Sequence, residues 1–254
     1  MHTRFILIET SHAGNVGATA RAMKVMGFSD LVLVRPRWSN VLRREETIQR
    51  ASGALEVLDQ ARIVDALDDA LEGMTHLCAT AMTPRDFGPP TVEPRPHFAE
   101  LAEHTGVAFL FGSERYGMRN EDVYRCHACI RIPTNPQFGS LNLASAVQVL
   151  AYEWRLALGG YANSEQNNAT TTPMPSSTST SAPTSERADA QQIAGLLSHW
   201  QEALTAIDFL DPDSPKKLMP RLNQLLNRAG LTQEEVHILR GIAKATLQAS
   251  AVKR

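Results

Sequence analysis

Short, nearly continuous apolar runs punctuate the chain from Phe5 to Leu158. Phe5 to Ile8, Leu31 to Val34, Leu77 to Thr80, Val107 to Phe111 and Ile130 to Ile132 are rich in Val, Ile, Leu and Phe and are bounded by polar or helix-period segments. Runs of this length suit strands covered on both faces, and the helices between them make parallel pairing the economical arrangement. The fold class is therefore α/β. Asn15 to Met26 and Ile63 to Leu71 read as helices that stop at Gly27 and Gly73. Asn142 to Leu158 is a longer and more apolar helix, with Leu143, Val147, Leu150, Ala151, Trp154 and Leu158 at helical spacing. That stripe is broader than a sheet-facing helix needs, so part of it is expected to meet another subunit.

The pattern breaks from about Asn163 to Arg187, where Asn, Ser, Thr and Pro replace any apolar period. Such a segment cannot bury enough apolar surface to order itself and reads as a disordered linker. The chain thus divides into a domain over 1–162, a linker over 163–187 and a small all-α extension over 188–254. In the extension, Ile193, Leu196, Leu197, Trp200, Leu204 and Ile207 mark one amphipathic helix. A second follows Ser214-Pro215 and ends at Gly230; a third starts with Thr232 and Glu235 in capping-box spacing. Lys216, Lys217, Arg221, Arg228, Arg240 and Lys244 would either contact phosphate or simply solvate these helices.

Charge and cysteine content narrow the classes. The 254 residues carry 25 Lys plus Arg against 27 Asp plus Glu, a net charge of −2, which excludes a wholly basic nucleic-acid coat protein but not a local basic patch. Cys78, Cys126 and Cys129 are an odd count, expected of a reducing cytoplasm rather than a disulfide framework. No signal peptide is visible, and no apolar stretch approaches the roughly 20 residues of a membrane span. Cys126-x-x-Cys129 has the spacing of a metal or redox pair, yet a structural zinc needs four ligands and no second pair exists, so no metal is expected.

Three segments break the rules for ordinary loops. Glu9-Thr10-Ser11-His12-Ala13-Gly14-Asn15-Val16-Gly17 joins a strand to a helix, a junction that offers free backbone amides to an anion. It lacks the glycine spacing of a dinucleotide or Walker A loop. Phe111-Gly112-Ser113-Glu114-Arg115-Tyr116-Gly117 lies at a strand's carboxyl end, where open α/β sheets place ligands. Ile132 to Asn142, stiffened by Pro133 and Pro136, leads into the long apolar helix.

At these residues the chain resembles the SPOUT-class (SpoU) RNA 2′-O-methyltransferases. The matching motifs are Asn15-x-Gly17-x-x-x-Arg21, Phe111-Gly112-x-Glu114-x-x-Gly117, and Ile132-Pro133 followed by Ser140-Leu141-Asn142-Leu143-Ala144-x-Ala146. Each is weak alone; the three in order are specific, and the resemblance spans about residues 4–158. It implies a parallel sheet closed by a C-terminal trefoil knot, S-adenosylmethionine as cofactor, and a homodimer with no membrane partner. Within the class, the Glu9-Thr10-Ser11-His12 opening and the appended helices are most similar to the branch that methylates cytidine or uridine at position thirty-two of the tRNA anticodon loop. The alternatives are another tRNA nucleotide, ribosomal RNA, or an RNA-binding module without turnover.

By resemblance, Thr80, Ala81, Met82, Gly112, Ile132, Gly139, Ser140 and Leu141 would hold the cofactor, and Arg21, Asn15, Glu114, Ser140 and Asn142 would form the catalytic set. Arg21 is the family's proposed base, although an arginine stays protonated with a reference pKa of about 12.5 to 13.8, which favours an electrostatic role. Read by residue type alone, Arg21 would be a solvated charge, Asn15, Ser140 and Asn142 helix caps, Glu114 a surface acid and His12 a turn residue. The chain departs from the usual pattern at Ser113, where relatives often carry a basic residue, and at Gly139, where they often carry serine.

Overall fold

The computed structural model describes residues 2–81, 85–101, 106–161, 186–213 and 216–252. Met82, the Ser214-Pro215 cap and all but the last two residues of the expected linker lie outside the described residues. In chain order the elements are β1 (His2–Ile8), α1 (Ala13–Val25), β2 (Asp30–Val34), α2 (Glu45–Ala51), α3 (Leu55–Gln60), β3 (Arg62–Val64), α4 (Leu67–Leu71), β4 (His76–Thr80), β5 (Thr91–Val92), α5 (Pro94–Leu101), β6 (Gly106–Phe111), α6 (Asn120–Tyr124), β7 (Ala128–Ile130) and α7 (Leu143–Ala157). The extension adds α8 (Ala190–Ala206), α9 (Leu218–Ala229) and α10 (Gln233–Val252).

Among the described residues, seven strands form one sheet in the order β3-β2-β1-β6-β4-β7-β5, and every pairing is parallel. All five expected strands are present. The last is shifted toward the N-terminus because Cys78 pairs with Ala128 and Thr80 with Ile130, which leaves Ile132 in the following loop. One helix needs correcting. Ile63 to Leu71 is not continuous: Arg62 to Val64 pairs with Val32 to Val34 as an edge strand, and only Leu67 to Leu71 is helical. The β-branched Ile63 and Val64 are better strand formers than helix formers, and the exposed edge accepts them.

Alternation along β1 divides the core. Phe5 and Leu7 face α1, α5 and α7 with Met23, Phe98, Phe109 and Trp154, whereas Ile6 and Ile8 face α4 and α6 with Leu71, Met74 and Val123. Trp154 is fully buried with its ring edge-on to Phe98 and Phe109, and its indole N–H donates to Thr3 Oγ1 at 2.9 Å. A buried indole needs such a partner. Arg4, also buried, gives its guanidinium to Asp30 and to the carbonyls of Ala70 and Glu72.

Helices α8 to α10 bury Ala188, Ile193, Leu196, Leu226 and Val236 among themselves. Thr232 with Glu235 closes a capping box on α10, as the sequence predicts, and Asp189 with Gln192 closes a second, not expected from the sequence, on α8. Gly230, with φ +61°, ends α9 in the left-handed conformation. The seam with the α/β unit is largely polar: Asn223 donates to the Tyr124 carbonyl at 2.6 Å, Gln224 to Gly88 at 2.9 Å, and the Ala190 amide to Met74 at 2.9 Å. Among the described residues, no helix is long and apolar enough to cross a membrane.

Candidate active site

A wholly parallel sheet sends the carboxyl ends of its strands to one edge. The loops that follow β1, β6 and β7 therefore emerge together, and these carry the three motifs. Glu114, just past β6, is the hub. Its Oε1 accepts from Thr10 Oγ1 at 2.9 Å and Asn15 Nδ2 at 2.7 Å; its Oε2 accepts from the Ser11 amide and the Ser11 hydroxyl, both at 2.8 Å. Burial by itself would raise this carboxyl, but the hydrogen bonds from Asn15 and Ser11 outweigh it and hold the pKa at about 2. Glu114 is accordingly a fixed anion rather than a proton carrier near neutral pH.

Asn15 extends the network. Its Oδ1 accepts from Asn142 Nδ2 at 3.0 Å, and Asn142 Oδ1 in turn accepts from the Ala144 amide at 2.9 Å, capping α7. Asn15 is not a helix cap: α1 starts at Ala13, with His12 as an exposed N-cap residue that makes no side-chain cap bond. The amide orientation of Asn15 is set by its partners, since one end must donate to a carboxylate and the other must accept from an amide.

The glycines of these motifs serve close packing. A Cβ on Gly17 would overlap the Thr47 carbonyl oxygen, so this residue lets α1 lie against α2 rather than exposing amides to a ligand. A Cβ on Gly112 would overlap the Gly117 carbonyl carbon and the Met118 nitrogen, where the chain folds back through paired hydrogen bonds between Ser113 and Gly117. Gly117 has φ +69°. Ser113 accepts from the Tyr116 amide at 3.2 Å and so helps close this turn.

The expected catalytic set divides in two. Asn15, Glu114 and Asn142 are joined, whereas Arg21 lies about 9 Å further along the α1 axis, is exposed, and makes no hydrogen bond or ion pair with the described residues. Ser140 is exposed as well. Of the expected cofactor residues, Thr80 ends β4, Gly112 follows β6, and Ile132 and the Gly139 to Leu141 turn follow β7. These are three neighbouring strands. Thr80 Oγ1 donates to the Leu110 carbonyl and the Ala81 amide to the Ile130 carbonyl, which ties the loop ends to each other. Thr10 and Ser11 are not among the expected catalytic residues; their signals in the sequence are a pair of hydroxyls at a strand end and the Glu9-Thr10-Ser11-His12 opening that carries part of the resemblance. The neighbouring Glu9 has φ +52° and pairs with Arg35 and Arg119.

This topology with these linked motifs defines a class. Residues 2–152 match the SpoU rRNA Methylase family, and the chain belongs to it. Residues 191–254 match the C-terminal domain of the tRNA methyltransferase TrmJ. The chain is 40% identical over 247 residues to the tRNA (cytidine/uridine/adenosine-2′-O-)-methyltransferase TrmJ of Pseudomonas aeruginosa (strain UCBPP-PA14), covering 96% of this chain and 93% of that one. It is 39% identical over 247 residues to the tRNA (cytidine/uridine-2′-O-)-methyltransferase TrmJ of Yersinia pestis (strain Pestoides F), covering 94% and 89%. The crystal structure of TrmJ from Z. mobilis ZM4 superposes with a TM-score of 0.78 at 28% identity, over 96% of this chain and 99% of that one. Within the SpoU class the chain is thus a member of the TrmJ family of tRNA 2′-O-methyltransferases.

Proposed function

We propose that the protein transfers a methyl group from S-adenosylmethionine to the ribose 2′-hydroxyl of cytidine or uridine at position thirty-two of the tRNA anticodon loop, acting as a cytoplasmic homodimer. The observation that carries this reading is the Glu114–Asn15–Asn142 connection, which joins the three motifs at the edge of the sheet where β6, β4 and β7 also end. In this reading the segment from β7 into α7 is the threaded part of a trefoil knot.

The residues present fit the cofactor. Gly112 packs directly against the Gly117 and Met118 main chain, which fixes the course of the loop after β6, and Leu141 is 40% exposed as an apolar surface for a flat ring. S-adenosylmethionine supplies, when bound, a methyl group on a sulfonium centre. The protein's part is to hold the acceptor oxygen in line and to stabilise charge as it develops. Asn15, clamped at both ends, fixes the spacing between the first and last motif loops. Arg21 would engage the phosphate and the developing alkoxide of the bound nucleotide, because a guanidinium is a poor base near neutral pH. With no hydrogen-bond or ion-pair partner among the described residues, its donors are available to RNA. Ser140 is similarly free to meet the ribose or the cofactor.

Tyr152 and Leu156 on α7 stay 47% and 45% exposed, which supports a second copy against this helix. Lys217 and Arg221, stacked on Phe87 at 4.4 and 4.7 Å from the ring centre, support a tRNA-capturing role for the extension. The deciding experiment uses full-length tRNA transcripts carrying a single 2′-deoxy nucleotide. Deoxy substitution at nucleotide thirty-two should abolish methyl incorporation while leaving binding nearly intact, since phosphates supply most of the affinity. Undiminished incorporation would mean a different acceptor atom or a different nucleotide, and loss only with a deoxy group elsewhere would reassign the position.

A further inference from the structure

A second cluster of reactive side chains lies away from this site, toward the amino-terminal end of β4. His76 opens the strand and Cys78 follows two residues later, so both point to the same face of the sheet. His97 reaches the same place from α5. One ring nitrogen of each histidine and the Cys78 sulfur all lie within 4.8 Å of one another. His76 and Cys78 are buried, and His97 is half-buried. The His127 ring lies tilted against His76 with centroids 4.6 Å apart, but its Nδ1 already accepts from the Leu77 amide at 3.1 Å.

Two observations point to a ligand. His97 Nε2 is buried and has no hydrogen-bond partner among the described residues, an arrangement that costs free energy unless something fills it. Beside the cluster a cavity of about 410 Å³ separates the α/β unit from the extension, with His76, His97 and Glu100 on one wall and Leu226 and Asn227 on the other. We propose that His76, Cys78 and His97 bind one transition-metal cation of the zinc class, its fourth position open to this cavity.

The donor set selects the metal. Two imidazoles and a thiolate suit a borderline-soft cation such as Zn²⁺ and are poor ligands for Mg²⁺ or Ca²⁺. Three protein ligands with an open fourth position are a known tetrahedral arrangement, in which donors sit about 3.5 Å apart. Burial lowers the His97 pKa, so its ring is neutral with a lone pair to offer. Burial, with Cys126 and Cys129 adding to it, keeps the Cys78 thiol protonated. Coordination therefore replaces the S–H bond by a sulfur–metal bond and releases one proton to solvent. The Glu100 carboxylate on the same wall offsets part of the charge brought in. Cys126 and Cys129 take no part: Cys129 pairs in register with Ala79, on the opposite face of the sheet from Cys78, and Cys126 packs in that same second core. A bound cation would clamp α5 to β4 below the seam where the extension docks.

The test uses the full chain, stripped with a chelator and titrated anaerobically with Co²⁺ followed by Zn²⁺. One cobalt per chain is expected, with tetrahedral d–d bands and a near-ultraviolet sulfur-to-cobalt band, both erased by zinc. Cys78→Ser should remove the sulfur band, and His97→Gln should weaken cobalt binding at least tenfold, the least that even outer-shell losses cost at metal sites. Cys126→Ser should leave both unchanged. Circular dichroism and melting midpoints establish that each variant is folded; if Cys78→Ser is not, His97→Gln decides alone. No saturable cobalt binding in the micromolar range, a sulfur band that survives Cys78→Ser or disappears in Cys126→Ser, or unchanged affinity in His97→Gln would each overturn the site.

Discussion

Asn142 donates from Nδ2 to Asn15 Oδ1 at 3.0 Å while its own Oδ1 caps the helix that follows, so one side chain both starts α7 and grips α1 across 127 residues of sequence. Asn142→Asp keeps an oxygen for the cap but loses the donor and sets a carboxylate against the Asn15 carbonyl. The methylation rate should fall about tenfold or more, and the lost hydrogen bond, worth roughly 1 kcal/mol, should lower the melting midpoint by about 2–4 °C. Asn142→Ala should in addition lose about 1 kcal/mol of stability with the cap. Single-turnover rates set beside thermal melts separate the two effects.

Glu114 makes a definite pH prediction. Its pKa is depressed from 4.5 to about 2 by hydrogen bonds that outweigh its burial, so the folded state binds fewer protons than the unfolded state between those values. The stability it confers is complete above about pH 4.5 and is lost as pH falls toward about 2. Wild type should therefore be more stable than Glu114→Gln near neutrality, and the difference should shrink through that acidic window. Urea midpoints measured across it give the answer; a constant difference would mean that Glu114 is not held as an anion.

Arg21→Ala should lower methyl transfer by on the order of a hundredfold, the scale of losing an electrostatic contributor to a transition state. Because Arg21 is exposed and makes no hydrogen bond or ion pair with the described residues, the melting midpoint should move little. Rates near wild type on a tRNA transcript would remove it from the mechanism.

Gly112→Ala tests the tight turn. The added carbon would overlap main-chain atoms of Gly117 and Met118, which cannot swing aside as a side chain would. A loss of about 1–3 kcal/mol or more is expected, together with weakened S-adenosylmethionine binding by calorimetry. An alanine variant that binds and melts like wild type would show that the turn has slack.

What the sequence displays of this fold follows from burial. The central strands β1, β2, β4 and β6 are covered on both faces and appear as solid apolar runs, and the α7 stripe appears because Leu143 to Trp154 pack at helical spacing. The edge strands are hidden for the converse reason: Arg62 and Ile63 are exposed, and β5 is only two residues long. The site shows a similar division. Glu114, Asn15 and Asn142 stand out one motif at a time, yet nothing in their spacing says that they bond to one another, since the pairings are set by strand order. The amides expected to cradle an external anion at the start of α1 illustrate the point, because the Ser11 amide is already taken by the Glu114 carboxylate.

The span of 127 residues between Asn15 and Asn142 also bears on synthesis. A ribosome delivers the first motif long before the last, and β6 must enter the middle of the sheet, between β1 and β4, before Glu114 can meet the loop after β1. Contacts so distant along the chain are slow to form. Until residues near Asn142 have left the exit tunnel, the growing chain cannot close the Asn15–Asn142 link, so on the function proposed above each molecule would become competent to act on RNA only when α7 has docked.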